Sequence, residues 1–146
     1  MAITTNAIAN SFKKELLEAK HNFTQTSGDQ FKIALYTSSA VLGKSTTSFT
    51  TDAQVSNTGQ YTTGGGKLAK GSQQTSVASS VAIVDFADRS FTGVTLTARG
   101  ALIYNTSNSN TAVAVLDFGG DKTATAGTFT IQFPAFTTSA AILRIT

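Results

Sequence analysis

Cysteine and tryptophan are missing from this chain, and histidine and proline each occur once, at His21 and Pro134. Without cysteine there is no thiolate nucleophile, no iron–sulfur cluster, no thiolate zinc site and no disulfide. A single histidine excludes a multi-histidine metal site within one chain; only symmetric copies could share one. Charge is scarce as well. Asp, Glu, Lys and Arg make up 13% of the residues, about half the usual ~25%. The net charge is +3, and the longest basic run is Lys13-Lys14. A nucleic-acid interface needs a stripe of Lys and Arg interleaved with aromatics. Here the basic residues are scattered from Lys13 to Arg144, so no nucleic-acid partner is expected. No apolar run reaches the ~18 residues of a membrane span. The opening MAITTNAIAN has neither a basic start nor an apolar stretch, so it does not read as a secretory signal. The protein is expected to be made in the cytoplasm and to stay there, or to leave it as part of a particle.

Hydroxyl residues fill the space that charge leaves. Thr and Ser together account for 40 of the 146 residues. High threonine with low charge favours strands over surface helices, and the length suits one domain with a real core.

Residues 1–10 carry no charged side chain and read as an extended N-terminal arm. The following SFKKELLEAKHNF places Phe12, Leu16, Ala19 and Phe23 at spacings of 4, 3 and 4, with Ile8 extending the series backwards. That is the apolar stripe of an amphipathic helix, expected over about 7–21 and capped by Ser11 or Asn6.

Everything after it reads as strands and turns. Phe31, Ile33 and Leu35 alternate. The stretch 37–80 is rich in Ser, Thr and Gly and is expected to be loop, with short strands near 60–63 and 75–79. Strands follow at 81–86, 92–97, 101–104, 112–118 and 129–133, with a last one at 141–145. Ala87–Ser90, Arg99-Gly100, Asn105–Asn110 and Gly119-Gly120-Asp121 read as the breaks between them. Short strands at this spacing indicate a mainly β domain over 11–146: an antiparallel β-sandwich, jelly-roll-like, with one N-terminal amphipathic helix.

Three sets of residues invite a chemical reading. Gly43-Lys44-Ser45 ends like a phosphate-binding loop, but that motif needs a glycine five positions earlier and a helix behind it. Position 38 is serine, and TTSFTTDAQV follows. His21 is the one candidate general base; its place near a helix end suits a structural role at the helix C-terminus. Asp85, Asp88, Asp117 and Asp121 form the acidic set. Asp88 and Asp121 fall in turns, where aspartate is ordinary. Asp85 and Asp117 fall in strands, and on neighbouring strands they could bind calcium or pair with Arg89 or Arg99. A paired-carboxylate glycosidase would also want aromatic platforms, and the chain offers only Tyr36, Tyr61 and Tyr104 besides phenylalanine. No catalytic, cofactor or metal site is expected, and the chain does not read as an enzyme.

The order of segments carries a resemblance. SFKKELLEAKHNF leads into FKIALYTSSA, followed by TARGALIYN, then AVAVLDFGGDKTATAGTFTIQFPA and a terminal ILRI. This resembles a group of small structural proteins of tailed bacteriophages of marine and cyanobacterial hosts. The likeness runs over most of the chain and is weakest from about 45 to 75. It implies a virion component, and small proteins that decorate or cement the capsid are the nearest analogues in size and composition. The partner so implied is the major capsid protein, with a homo-oligomer, dimer or trimer, spanning several of its subunits. The arm residues Ile3, Thr4, Thr5, Asn6 and Ile8 are the candidate docking strand. The alternative is a tail-associated or receptor-binding module that presents Tyr36, Tyr61 and Tyr104 to glycans.

Overall fold

The computed structural model describes residues 2–69 and 74–146. Met1 of the arm and residues 70–73 of the Ser/Gly-rich stretch lie outside the described residues. The protein is mainly β, with antiparallel pairing throughout its named strands and one short helix. In chain order the elements are β1 (Ala7–Ile8), α1 (Asn10–Leu17), β2 (Phe31–Tyr36), β3 (Gly66–Lys67), β4 (Gln74–Ala78), β5 (Val81–Asp85), β6 (Arg89–Asn105), β7 (Thr111–Ile131) and β8 (Leu143–Ile145). They form a five-stranded sheet ordered β1-β7-β6-β2-β3 and a three-stranded sheet ordered β4-β5-β8.

The helix is shorter than its apolar stripe. Ile8 belongs to β1, where it pairs with Ala114, so the helix begins only at Asn10. Neither expected cap serves it. Ala9 occupies the cap position without a side-chain bond. Asn6 instead accepts from the Asp117 N–H at 2.7 Å, and the Ser11 hydroxyl is buried without a partner among the described residues. The end is sharp because Ala19 turns left-handed, at φ 58°. Lys20 N–H then reaches back to Glu15 O at 3.0 Å and Ala19 N–H to Leu16 O at 3.2 Å, a Schellman closure with alanine where glycine is usual.

The β6–β7 hairpin is the spine of the fold. Sequence breaks at Arg99-Gly100 and Gly119-Gly120-Asp121 suggested four strands, and the structure has two long ones. Gly100 pairs with Asp117 and Ala98 with Lys122, so residues 118–121 of β7 have no opposite number on β6. The glycines and Asp121 thus form a bulge opposite Arg99, and the chain does not reverse. A second shift lies between Phe91 and Val94. It preserves the alternation in which Phe91, Val94, Leu96 and Ala98 are buried while Thr92, Thr95 and Thr97 face out. Across this outer face hydroxyls pair: Ser90 with Thr130 at 2.8 Å and Thr97 with Thr123 at 2.9 Å. Such cross-strand pairs stabilise a sheet without charge, which is how a threonine-rich exterior holds a ladder together.

β2 lies beside the inner half of β6, in register from Phe31↔Asn105 to Tyr36↔Gly100. Both of its faces are covered, so Ala34 and Tyr36 are as buried as Phe31, Ile33 and Leu35. Gly65 lies so close over Ile33 that a Cβ would collide with the Ile33 carbonyl, and its φ of 79° suits glycine. That close approach seats β3 on the sheet edge. A single apolar cluster takes Phe31, Ile33, Phe91, Leu102 and Val113 from the large sheet's strands, Leu143 from the small sheet, and Phe12, Phe23 and Phe86 from the helix and loops. Phe23 stacks flat on Phe31, their ring centroids 4.6 Å apart.

Candidate functional site

Several of the polar candidates are tied into the framework, whereas Asp85 Oδ1 and Arg89 Nε are buried without a hydrogen-bond partner among the described residues. The His21 side chain is fully buried. Its Nε2 lies 2.6 Å from Glu15 Oε2 and its Nδ1 3.0 Å from Asn105 Nδ2. Asn105 Nδ2 also donates to Asp29 Oδ2 at 2.7 Å, and its Oδ1 accepts from Ser107 N–H at 2.9 Å. A carboxylate only accepts, so Asn105 Nδ2 is the donor to Asp29 and to His21 Nδ1, which accepts from it. The proton therefore sits on Nε2 and points at Glu15. Phe12 is centred 4.7 Å from the ring and Phe31 6.4 Å from it, so the imidazole is packed among aromatics. Its role is to pin the end of α1 to the tip of the β6–β7 hairpin. Sequence reading placed His21 at the helix end but had no signal for Asn105, 84 residues away.

Gly43-Lys44-Ser45 forms a turn without a following helix. The Lys44 carbonyl accepts from Asn10 N–H at 2.8 Å, so the turn braces the start of α1. Asp85 and Asp117 are not neighbours: Asp85 ends β5 in the small sheet and Asp117 lies on β7 in the large one. Asp117 does pair with Arg99, Nε to Oδ1 at 3.1 Å, and its Oδ1 also accepts from Gly119 N–H at 2.9 Å. First the Gly119 amide and then Arg99 hold its carboxyl below the usual carboxylate range. Burial pushes the Asp85 carboxyl up, the Phe86 amide offsets this in part, and Asp88 adds to the rise. Arg89 lies with its guanidinium carbon 4.7 Å from the centre of the Phe91 ring. Among the described residues no cluster of three potential metal-ligating acids or histidines occurs, and no helix is long and apolar enough to cross a membrane.

The tyrosines are not a platform. Tyr36, Tyr61 and Tyr104 are 0%, 0% and 3% exposed. Their hydroxyls serve the backbone. Tyr36 donates to Thr50 O at 2.7 Å, Tyr104 to Gly64 O at 2.5 Å, and Tyr61 accepts from Leu35 N–H at 2.8 Å.

The arm is seated on the chain's own sheet. Ile3 is buried, Ile8 is half-buried beside β7, and Asn6 is bonded to Asp117, while Thr4 and Thr5 are exposed. Of the candidate docking residues, Thr4, Thr5 and Asn6 are exposed, and of these Asn6 is held by Asp117.

Among the described residues a cleft between the sheets is open. One cavity of about 550 Å³ lies between α1 and the small sheet; Phe12, Leu16 and Phe23 line it on one side and Val77, Val84 and Ile145 on the other. A second, of about 580 Å³, lies between the arm and the C-terminal segment, with Leu116, Phe118, Phe133 and Ile142 in its walls. Val77 is 72% exposed and Ile145 58%. Covering a side chain of this size is worth about 1.5–3 kcal/mol, so apolar residues grouped in a concave surface favour an occupant. Sequence reading missed this site because its walls come from opposite ends of the chain. Comparison with known proteins finds no matching family model, no matching curated protein and no matching solved structure.

Proposed function

We propose that this chain is an adhesive structural protein of a virus particle, a capsid decoration or cement protein that binds the major capsid protein. The observation that carries the adhesive reading is the apolar cleft, with Val77 and Ile145 exposed in its wall. The cleft walls are apolar, with Thr75, Ser76 and Thr146 and the two bases Lys13 and Arg144 among them, so recognition there rests on shape, apolar contact and backbone hydrogen bonds, with positive charge at the border. The assignment to a bacteriophage particle rests on the segment resemblance. On this reading the two sheets are facing layers of a sandwich, jelly-roll-like, sharing the core between Phe31 and Leu143. The protein acts in the virion, as a homo-oligomer that spans neighbouring capsid subunits. An interface of roughly 1,600 Å² per contact is enough for stable attachment, and repetition over the lattice multiplies it. The burial of Tyr36, Tyr61 and Tyr104 leaves the glycan-binding alternative without its aromatic surface.

The test is sedimentation of purified protein with emptied capsids, combined with its copy number in intact particles. Saturable binding at hundreds of copies supports decoration. Absence from the capsid, or a handful of copies confined to the tail, overturns it.

A further inference from the structure

Two open sheet edges border the cleft. β1 is an outer strand of the large sheet and β8 an outer strand of the small one. Ala9 N–H bonds Val113 O at 3.0 Å in the same register that sets Ile8 opposite Ala114. Bonded and non-bonded pairs alternate in an antiparallel ladder, so the N–H and C=O of Ile8 point away from β7. The small sheet alternates in the same way. Ser79 and Ser80 both have positive φ, at 48° and 65°. They form the two-residue turn of the β4–β5 hairpin, whose flanking pair, Ala78 and Val81, is bonded. Ala82 and Val84 must then bond β8, opposite Ile145 and Leu143. The N–H and C=O of Arg144 consequently point away from β5. Ile8, Arg144 and Thr146 border both cavities.

We propose that this cleft takes an extended segment of a partner protein, added as a strand between β1 and β8. The inference rests on the adhesive reading for the existence of that partner. Two edges that border the same cavities, each with outward N–H and C=O groups, suit recognition by an added strand's backbone, the mode in which main-chain bonds give affinity and side-chain pockets give specificity. Side chains on one face of the added strand enter the cavity beside Phe12, Leu16, Val77 and Ile145, and so are apolar. That cavity is lined by Lys13 and Arg144, with no Asp or Glu in its walls, so the segment also carries a carboxylate. A second copy of this chain is the poorer occupant. An antiparallel pair of β8 strands centred on Arg144 sets arginine against arginine, and the arm residues 2–6 have no acid to offer.

Because the backbone carries affinity in this mode, a generic alternating peptide is a sufficient probe. The experiment uses the whole chain and a capped peptide alternating valine and threonine with one glutamate. A matched peptide carries lysine at the glutamate position. Amide hydrogen exchange is followed residue by residue. The expected result is exchange at Ile8 and Arg144 slowed at least about tenfold by the glutamate peptide, with binding at least about tenfold weaker for the lysine peptide. Arg144→Pro removes the outward N–H at an edge position where proline is tolerated, and it should lose the peptide. Arg144→Gln, which keeps the N–H, should retain part of the affinity. Unchanged exchange at both residues at millimolar peptide overturns strand addition. So does protection of the same amides by self-association without peptide, which would assign the cleft to a second copy. Capsid sedimentation is read separately: binding there without peptide protection leaves adhesion standing and removes only the strand.

Discussion

The Cδ1 atom of Ile3 lies 2.9 Å from where a Cβ on Gly100 would stand. On its other side that Cβ would collide with the Leu116 carbonyl oxygen. The arm, β6 and β7 therefore meet at a point where only glycine fits, next to the bulge that Asp117 and Gly119 close. Gly100→Ala forces backbone as well as side chain to move and should destabilise the protein by about 2–3 kcal/mol. Ile3→Ala leaves a cavity at the same place and should cost about 2–5 kcal/mol. Thermal or urea unfolding measures both. An unchanged midpoint in either variant would show that the arm is not part of the core.

The two strand aspartates should respond oppositely to substitution. Asp117's folded pKa is lowered, so its charge stabilises the fold above the unfolded value of about 3.9, and that contribution is lost as pH falls toward the folded value. Asp117→Asn should lower the midpoint at neutral pH, by about 1 kcal/mol or less, and the gap to wild type should close in acid. Asp85's folded pKa is raised. In the window above about 3.9 the folded state holds the proton longer than the unfolded state does, so stability falls as pH rises through it. Asp85→Asn should then raise the midpoint at neutral pH. Unfolding curves across acid and neutral pH decide both signs.

Burial pushes the hydroxyls of Tyr36, Tyr61 and Tyr104 up, Tyr104 to about 12. An alkaline titration followed by phenolate absorbance should lag behind the ordinary tyrosine range near pH 10 for all three and rise above it or with unfolding, Tyr104 near 12. The sign for stability follows. The unfolded chain loses these protons first, so the fold weakens as pH climbs above about 10. A normal titration of even one tyrosine near pH 10 would contradict its burial.

The network through His21 makes a spectroscopic prediction. The ring should be the tautomer with its proton on Nε2 and a bare Nδ1 accepting from Asn105, visible in nitrogen chemical shifts. Asn105→Ala removes that donor and frees Asp29 and the Ser107 amide. It should cost roughly 1–3 kcal/mol and loosen the end of α1. A neutral ring found with its proton on Nδ1 would refute the assignment.

Much of the β framework is legible in the residues. The alternation at Phe31–Tyr36 and at Phe129–Ile131, and the apolar runs at 81–85 and 112–115, all lie in strands. The errors have physical causes. Glycine pairs beside an aspartate usually mark a turn, but at 119–121 the ladder resumes beyond them, because Arg99 and the neighbouring backbone hold the bulge in place. Ile8 fits the helical stripe, yet its partner Ala114 claims it for a strand, and no local pattern reveals a partner so distant. Expected strand 60–63 survives only as a bridge between Thr58 and Tyr61. The chemistry of the cleft was the least legible of all. Phe12, Val77 and Ile145 lie in three separate segments, and only the finished fold sets them around one cavity.

Two side chains in the wall of that cleft decide whether it is the adhesive surface. Val77→Asp combined with Ile145→Asp changes two largely exposed side chains, so the fold should be kept, as circular dichroism and the unfolding midpoint will report. Sedimentation with emptied capsids then tests the claim directly. The prediction is a loss of binding of at least about a hundredfold, the effect of roughly 2.8 kcal/mol. A folded double variant that coats capsids as tightly as the wild type would contradict it.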